Sequence, residues 1–126
     1  MIGGRVLDTT ALLTFARGTS VYAAAAIWTA VEESIVLIVP STAVAAALTD
    51  LADQHRPVLD VLLHLPVTVI DNLDEARARA ISQLGGHQAD AHAIACALDR
   101  GWPLITANPT HYARYEQTGV TLEPLP

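Results

Sequence analysis

The sequence predicts an α/β fold with a mainly parallel β-sheet, and three observations support this prediction. Short apolar runs alternate with helical segments along the chain, which is the pattern of strands joined by right-handed crossover helices. Positions 35–39 consist only of Ile, Val and Leu, as expected for a strand that is covered on both faces. Glycine or proline follows most of the segments and marks where each one ends.

In the first half of the chain, capping residues and helix-ending residues separate the elements. Thr9 and Thr10 precede the first helix, and Gly18 ends it. Ser20 precedes the second helix, and Pro40 closes the apolar strand. The predicted elements are a strand at 6–7, helices at 11–17 and 23–33, a strand at 35–39, and helices at 42–52 and 56–63.

The second half continues the alternation. Asp71 and Asn72 are predicted to cap a helix that Gly85 ends, and Pro109 lies in the first turn of the last helix. The predicted elements are a strand at 67–70, helices at 73–84 and 89–100, a strand at 103–106, a helix at 109–118 and a final strand at 120–122.

Length, charge and cysteine content limit the protein class. A chain of 126 residues with 52% hydrophobic residues predicts a single domain spanning 1–126. The net charge of −6 argues against a protein that binds nucleic acid through bulk positive charge. Cys96 is the only cysteine, so we expect no intramolecular disulfide and no cysteine-based zinc site. The sequence shows neither a signal peptide nor a membrane span, which predicts a soluble cytoplasmic protein.

Polar residues follow the predicted strands, where the functional cleft of an open α/β sheet lies. Asp8 follows the first strand, and Thr106 and Asn108 close the fourth. Asp90 is the only charged residue between positions 89 and 98. Each carboxylate also has a structural interpretation: Asp8 can cap the first helix, although Thr9 and Thr10 would serve equally well, and Asp90 can interact with a helix dipole.

Three segments resemble the PIN-domain family, and by size the VapC toxins of toxin–antitoxin pairs. The first two are Val-Leu-Asp-Thr-Thr-Ala-Leu-Leu at 6–13 and Pro-Ser-Thr-Ala-Val at 40–44, and the third consists of the two stretches 89–98 and 101–108. The resemblance covers nearly the whole chain in order and spacing. It implies a three-layer sandwich with a mainly parallel five-stranded sheet between helices. It also implies a ribonuclease that depends on Mg²⁺ or Mn²⁺.

The resemblance implies site residues at specific positions. Asp8 and Asp90 match two acidic positions and would hold the metal ion. The other two acidic positions fall on Ala46 and Asn108, and Thr106 and Thr10 match conserved hydroxyl positions of the family pattern. The implied catalytic set is therefore Asp8, Asp90, Asn108 and Thr106, and Thr10 is expected to contact substrate. His111 is a further candidate for substrate contact because it lies near Asn108 in sequence, and a histidine without such a contact is the alternative.

The two missing acids affect the expected chemistry. Two carboxylates cannot balance two divalent ions, so the sequence favours a single, weakly held Mg²⁺ or Mn²⁺.

The sequence leaves open whether the chain is an enzyme: the alternative is a non-catalytic PIN fold that binds RNA or an antitoxin-like peptide. Expected partners are RNA, a small antitoxin-like protein and a second copy of the chain. The apolar segments 22–31 and 44–51 are either a dimer face or part of the buried core, and the sequence favours neither. His92, Cys96 and Tyr112 are interpreted as core residues.

Overall fold

The computed structural model describes residues 3–126 and contains alternating strands and helices over that range. The elements are β1 Gly4–Leu7, α1 Thr9–Arg17, α2 Val21–Glu33, β2 Val36–Pro40, α3 Ser41–Asp50, α4 Arg56–Leu63, β3 Thr68–Asp71, α5 Glu75–Leu84, α6 Gln88–Arg100, β4 Leu104–Thr106 and β5 Leu122–Pro124, with 3-10 helices at Asp53–His55 and Pro109–Thr118.

The five strands form one parallel sheet in the order β3-β2-β1-β4-β5. β1 lies in the centre, where Val6 is aligned with Ile38 of β2 and with Leu104 of β4. The carboxyl ends of β1, β2 and β4 therefore meet at one edge of the sheet. This arrangement confirms the predicted α/β class with a parallel five-stranded sheet.

Two apolar clusters cover the faces of the sheet and make the fold a three-layer sandwich. On one face, residues of α1 to α4 such as Leu12 and Leu59 pack against Leu37 and Val39. On the other face, α5, α6 and the 3-10 helix Pro109–Thr118 pack against the sheet, with Ile94 fully buried. Among residues 3–126, every helix is too short or too polar to cross a membrane.

Local signals explain most element ends, and three expectations need correction. Asp8, and not Thr9 or Thr10, caps α1, because its carboxylate accepts the amide hydrogen of Ala11 at 2.8 Å.

Asp71 does not cap a helix: it is the last residue of β3, and Asp74 caps α5. Finally, the segment after Pro109 is a 3-10 helix rather than an α-helix.

Substitution of Gly4 by alanine is expected to destabilise the fold by about 1–3 kcal/mol. A Cβ atom on Gly4 would overlap the indole ring of Trp102, and Gly4 is buried in the central strand. Urea denaturation would measure the loss. Gly3→Ala is the matched control, because its Cβ would meet only one atom of Arg5, at 4.0 Å. Equal stabilities of the two variants would contradict this packing argument.

Candidate functional site

Asp8 lies at the carboxyl end of β1 and is 2% exposed. Its Oδ1 atom accepts hydrogen bonds from the amide of Ala11 at 2.8 Å and from the hydroxyl of Thr10 at 2.7 Å. Its Oδ2 atom accepts one from the phenol of Tyr112 at 2.7 Å. A buried carboxylate is costly unless donors compensate its charge, and three donors with the N-terminus of α1 provide that compensation here.

A chain of hydroxyl groups connects Asp8 to the loop after β4. Because the Thr10 hydroxyl donates to Asp8, the contact of 3.2 Å between Thr106 Oγ1 and Thr10 Oγ1 requires Thr106 to be the donor. Thr106 Oγ1 in turn accepts from the amide of Asn108 at 3.0 Å, and Thr10 Oγ1 accepts from the amide of Ala107 at 2.8 Å. In every hydrogen bond of this hydroxyl series, the acceptor is closer to Asp8 along the series than the donor. Because Thr106 is fully buried, its geometry suits positioning of Asp8 rather than substrate contact.

The sequence predicts Tyr112 to be a core residue and does not indicate its contact with Asp8. The ring is 2% exposed and belongs to the apolar cluster, as expected. Its hydroxyl, however, donates to the central carboxylate of the candidate site. Burial, followed by the negative charge of Asp8, raises the pKa of the Tyr112 phenol well above its ordinary value. The phenol is therefore a permanent donor, and no local sequence signal pointed to this role.

Asp90 lies in the first turn of α6 and is half-buried. Burial raises the pKa of its carboxyl group, and the negative charge of Asp8 raises it further. The Coulomb interactions of Asp90 with His87 and His111 act to lower the pKa of Asp90. These interactions place Asp8, Asp90, His87 and His111 in one electrostatic neighbourhood at the carboxyl edge of the sheet. His87 was not singled out from the sequence.

The two carboxylates suit one divalent cation, because a cation would relieve their repulsion. A second ion would lack charged ligands, since the two further positions at which the resemblance implies acids are Ala46 and Asn108. The side-chain oxygen of Asn108 accepts from the Thr110 hydroxyl at 2.9 Å and contributes no charge.

Two acids, Asp50 and Glu116, are the nearest in sequence to Ala46 and Asn108, and both are exposed. His111 is exposed as well, and its backbone amide donates to the Asn108 carbonyl at 3.1 Å.

A second polar cluster lies beside the first and was not anticipated. His92 is fully buried, and its Nδ1 atom is 2.7 Å from the Thr42 hydroxyl. Its Nε2 atom is 2.8 Å from Oδ1 of Asp71. Arg77 donates to both oxygens of Asp71, at 3.1 and 3.0 Å, and also to Asp99 at 3.3 Å. The prediction of a buried histidine is confirmed, but its partners lie on α3 and β3, far away in sequence.

The charge state of Asp71 determines which hydrogens this cluster carries. Burial acts to raise the pKa of its carboxyl group, but hydrogen bonds from His92 and Arg77 outweigh burial and hold its pKa below its ordinary value. Asp71 is therefore ionised at neutral pH and accepts the hydrogen on Nε2 of His92. With a neutral ring, Nδ1 then accepts the Thr42 hydroxyl hydrogen.

Comparison with solved structures identifies a similar fold. The chain matches a chain in the crystal structure of VapBC2 from Rickettsia felis bound to a DNA fragment from their promoter, with a TM-score of 0.72 and 13% sequence identity. The match covers 98% of this chain and 99% of that chain. No protein-family model matches the sequence, and no curated protein matches it. At this identity the likeness shows the fold, which is the PIN-like sandwich that the resemblance implied.

Proposed function

We propose that this chain, a single PIN-like domain over residues 1–126, is a metal-dependent ribonuclease of the VapC toxin type with a reduced acidic site. The observation that supports the proposal best is positional: in a fold similar to that of a VapBC2 chain, Asp8 follows the central strand β1 as the cap of α1, and Asp90 lies in the first turn of α6. In such folds, the cleft at this edge is where ligands bind. Two interacting carboxylates in that cleft are suited to bind a hard cation.

Asp8 and Asp90 would hold one Mg²⁺ or Mn²⁺. When bound, the ion supplies a water of lowered pKa and stabilises negative charge on the phosphate. The residues of the chain hold this site in shape: Thr10 and Thr106 orient Oδ1 of Asp8, and Tyr112 orients Oδ2. Such orientation matters because small errors in the positions of ligands reduce catalysis strongly.

The substrate side of the site is formed by Asn108 and His111. The half-buried amide of Asn108 offers a polar contact to phosphate or water, and the exposed ring of His111 lies close enough to interact with Asp90. A protonated histidine attracts a phosphate, and RNA is the substrate implied by the resemblance. Thr10 also belongs to the substrate side of the site. Its hydroxyl donates a hydrogen bond to Asp8, which holds Thr10 next to the carboxylate.

The partners and location belong to the same proposal. The similar structure is that of a VapBC2 complex, so we propose a small antitoxin-like partner and a cytoplasmic location for this chain. Helix α2 presents an exposed apolar side that includes Val21, Tyr22 and Trp28. Such a surface suits an antitoxin-like peptide or the second copy of a homodimer.

A second candidate function is a non-catalytic PIN fold that binds RNA or a peptide. One specific observation favours it: both carboxylate oxygens of Asp8 already accept hydrogen bonds from the protein itself. With Ala46 and Asn108 at the other family positions, a cation would compete with these donors for few ligands.

A ribonuclease assay separates the two functions. Wild type is incubated with structured RNA and Mn²⁺ beside Asp8→Asn, Asp90→Asn and the double variant Ala46→Glu with Asn108→Asp. We expect wild-type cleavage that falls at least about a hundredfold in either asparagine variant and rises in the double variant. An inactive wild type beside an active double variant would contradict the enzyme and support the binding module.

A further inference from the structure

Three potential metal ligands converge beside the candidate cleft. His92 and Cys96 lie one turn apart on α6 and therefore share a helix face, and Asp71 approaches them from the end of β3. The ligand atoms of these three side chains all lie within 4.8 Å of one another. Within residues 3–126, no other three carboxylate, histidine or cysteine side chains converge in this way. Imidazole, thiolate and carboxylate together are a donor set that suits Zn²⁺.

The histidine is held as metal-binding histidines commonly are. In zinc sites, the ring nitrogen that does not bind metal contacts a second polar group, which fixes the orientation of the ring. Here Thr42 contacts Nδ1 at 2.7 Å, which leaves Nε2 directed at Asp71. Cys96 and His92 are both buried, whereas the side chain of Asp71 is 17% exposed. A solvent-open hollow of about 480 Å³, lined in part by Asp71, Arg77 and Asp99, provides a path of entry.

In this structure the position next to Asp71 is taken by a guanidinium group. Arg77 binds both oxygens of Asp71 and balances its charge. The same guanidinium already contacts Asp99 at 3.3 Å, so it has a second carboxylate to pair with if it leaves Asp71. The side chain of Asp99 is 60% exposed, which allows it to follow the guanidinium.

We propose that Asp71, His92 and Cys96 form a Zn²⁺ site, and that Arg77 is the resident cation which the metal displaces onto Asp99. This Zn²⁺ site is separate from the Asp8–Asp90 pair and does not depend on the ribonuclease proposal. The sequence analysis expects no cysteine-based zinc site, because Cys96 is the only cysteine. That expectation holds for a site made of several cysteines, but a site with mixed ligands needs only one thiol.

The exchange balances in charge and in protons. Zn²⁺ binds with the Asp71 carboxylate and a Cys96 thiolate, so the group of metal and ligands is neutral, and Arg77 remains paired with Asp99. The thiol proton leaves to solvent as the Zn–S bond forms. The His92 proton moves from Nε2 to Nδ1, where it is donated to Thr42 Oγ1. A water or the second oxygen of Asp71 completes the tetrahedral set.

Without metal, the Cys96 thiol keeps its proton at neutral pH. Burial, together with the negative charge of Asp71, raises the pKa of the Cys96 thiol to about 12. A bound cation deprotonates a coordinating thiol despite such surroundings. A hard ion such as Mg²⁺ gains little from a thiolate, so the site discriminates against the ion proposed for the Asp8–Asp90 pair.

Titration with Co²⁺, a spectroscopic substitute for Zn²⁺, tests the proposal on the full chain. We expect an absorption band from thiolate-to-cobalt charge transfer that disappears when Zn²⁺ is added. Cys96→Ser should abolish the band, and Arg77→Gln should tighten Co²⁺ binding about tenfold or more, because it removes the competing charge. Asp8→Asn should leave the band unchanged.

The outcomes are decisive in either direction. If the band is absent from both wild type and Arg77→Gln, the proposed Zn²⁺ site is wrong. The site is also wrong if the band persists in Cys96→Ser or is lost in Asp8→Asn. A band in both proteins with equal affinities overturns the displacement of Arg77. Circular dichroism of each variant confirms that the protein is folded, and Cys96→Ser changes the buried volume very little.

Discussion

Replacement of Asp71 by alanine is expected to lower the free energy of unfolding by about 3 kcal/mol. The carboxylate accepts from the fully buried imidazole of His92 and from both ends of the Arg77 fork. Without this carboxylate, the buried N–H group of His92 has no acceptor. The partly buried guanidinium of Arg77 then keeps Asp99 as its carboxylate partner. The side chains of Asp71 and Arg77 are still 17% and 19% exposed, which keeps the loss at the lower end for a broken pair.

Asp99→Ala is the matched control for this prediction. Asp99 binds the same guanidinium, but its side chain is 60% exposed, and it makes no contact with His92. An exposed ion pair contributes little, so we expect a loss of less than about 1 kcal/mol. Guanidinium chloride unfolding followed by circular dichroism would compare the two variants. If they lose equal stability, the buried imidazole does not depend on Asp71.

Replacement of Tyr112 by phenylalanine should cost about 2 kcal/mol in the absence of metal. The phenol is the one described donor to Oδ2 of Asp8, and a carboxylate that is 2% exposed has little access to water in its place. The same change frees this oxygen for a cation. We therefore expect that Mn²⁺ stabilises Tyr112→Phe more than wild type, which thermal unfolding with and without Mn²⁺ would measure.

Tyr115→Phe provides the comparison for Tyr112→Phe. Its hydroxyl donates to the backbone carbonyl of Gly85 at 2.7 Å, a neutral acceptor. Its loss should cost about 1 kcal/mol, and Mn²⁺ should not reduce that cost. A Mn²⁺ response that is equal in the two variants would show that the ion does not bind at the oxygen which Tyr112 covers.

Much of the fold could be predicted because its signals are local. The apolar run before Pro40 gave β2, and glycines such as Gly18 and Gly101 adopt left-handed backbone at the ends of α1 and α6. Two of the three errors arose where neighbouring residues offer equivalent capping signals. Asp71 and Asp74 are both good capping residues, and only the pairing of β3 with β2 decides that Asp71 belongs to the strand.

The candidate site was predictable only in part. Strand-end logic and the family resemblance select Asp8 and Asp90, and the joint role of these two carboxylates stays a prediction. The Tyr112 contact with Asp8 joins residues 104 positions apart, and the Asp71 contact with His92 joins residues 21 positions apart. Each depends on side-chain conformation within a packed interior. Local pattern reports which residues are apolar, but not which hydroxyl reaches which carboxylate.

The hydroxyl chain that ends on Asp8 has a consequence for the order of synthesis. Asp8 emerges from the ribosome early, whereas Thr106 and Tyr112, which orient it, are made roughly a hundred residues later. Until β4 pairs with β1, the carboxylate has only its local partners Thr10 and Ala11. The oriented carboxylate is therefore among the last features to form, and an unfinished chain cannot carry the complete site.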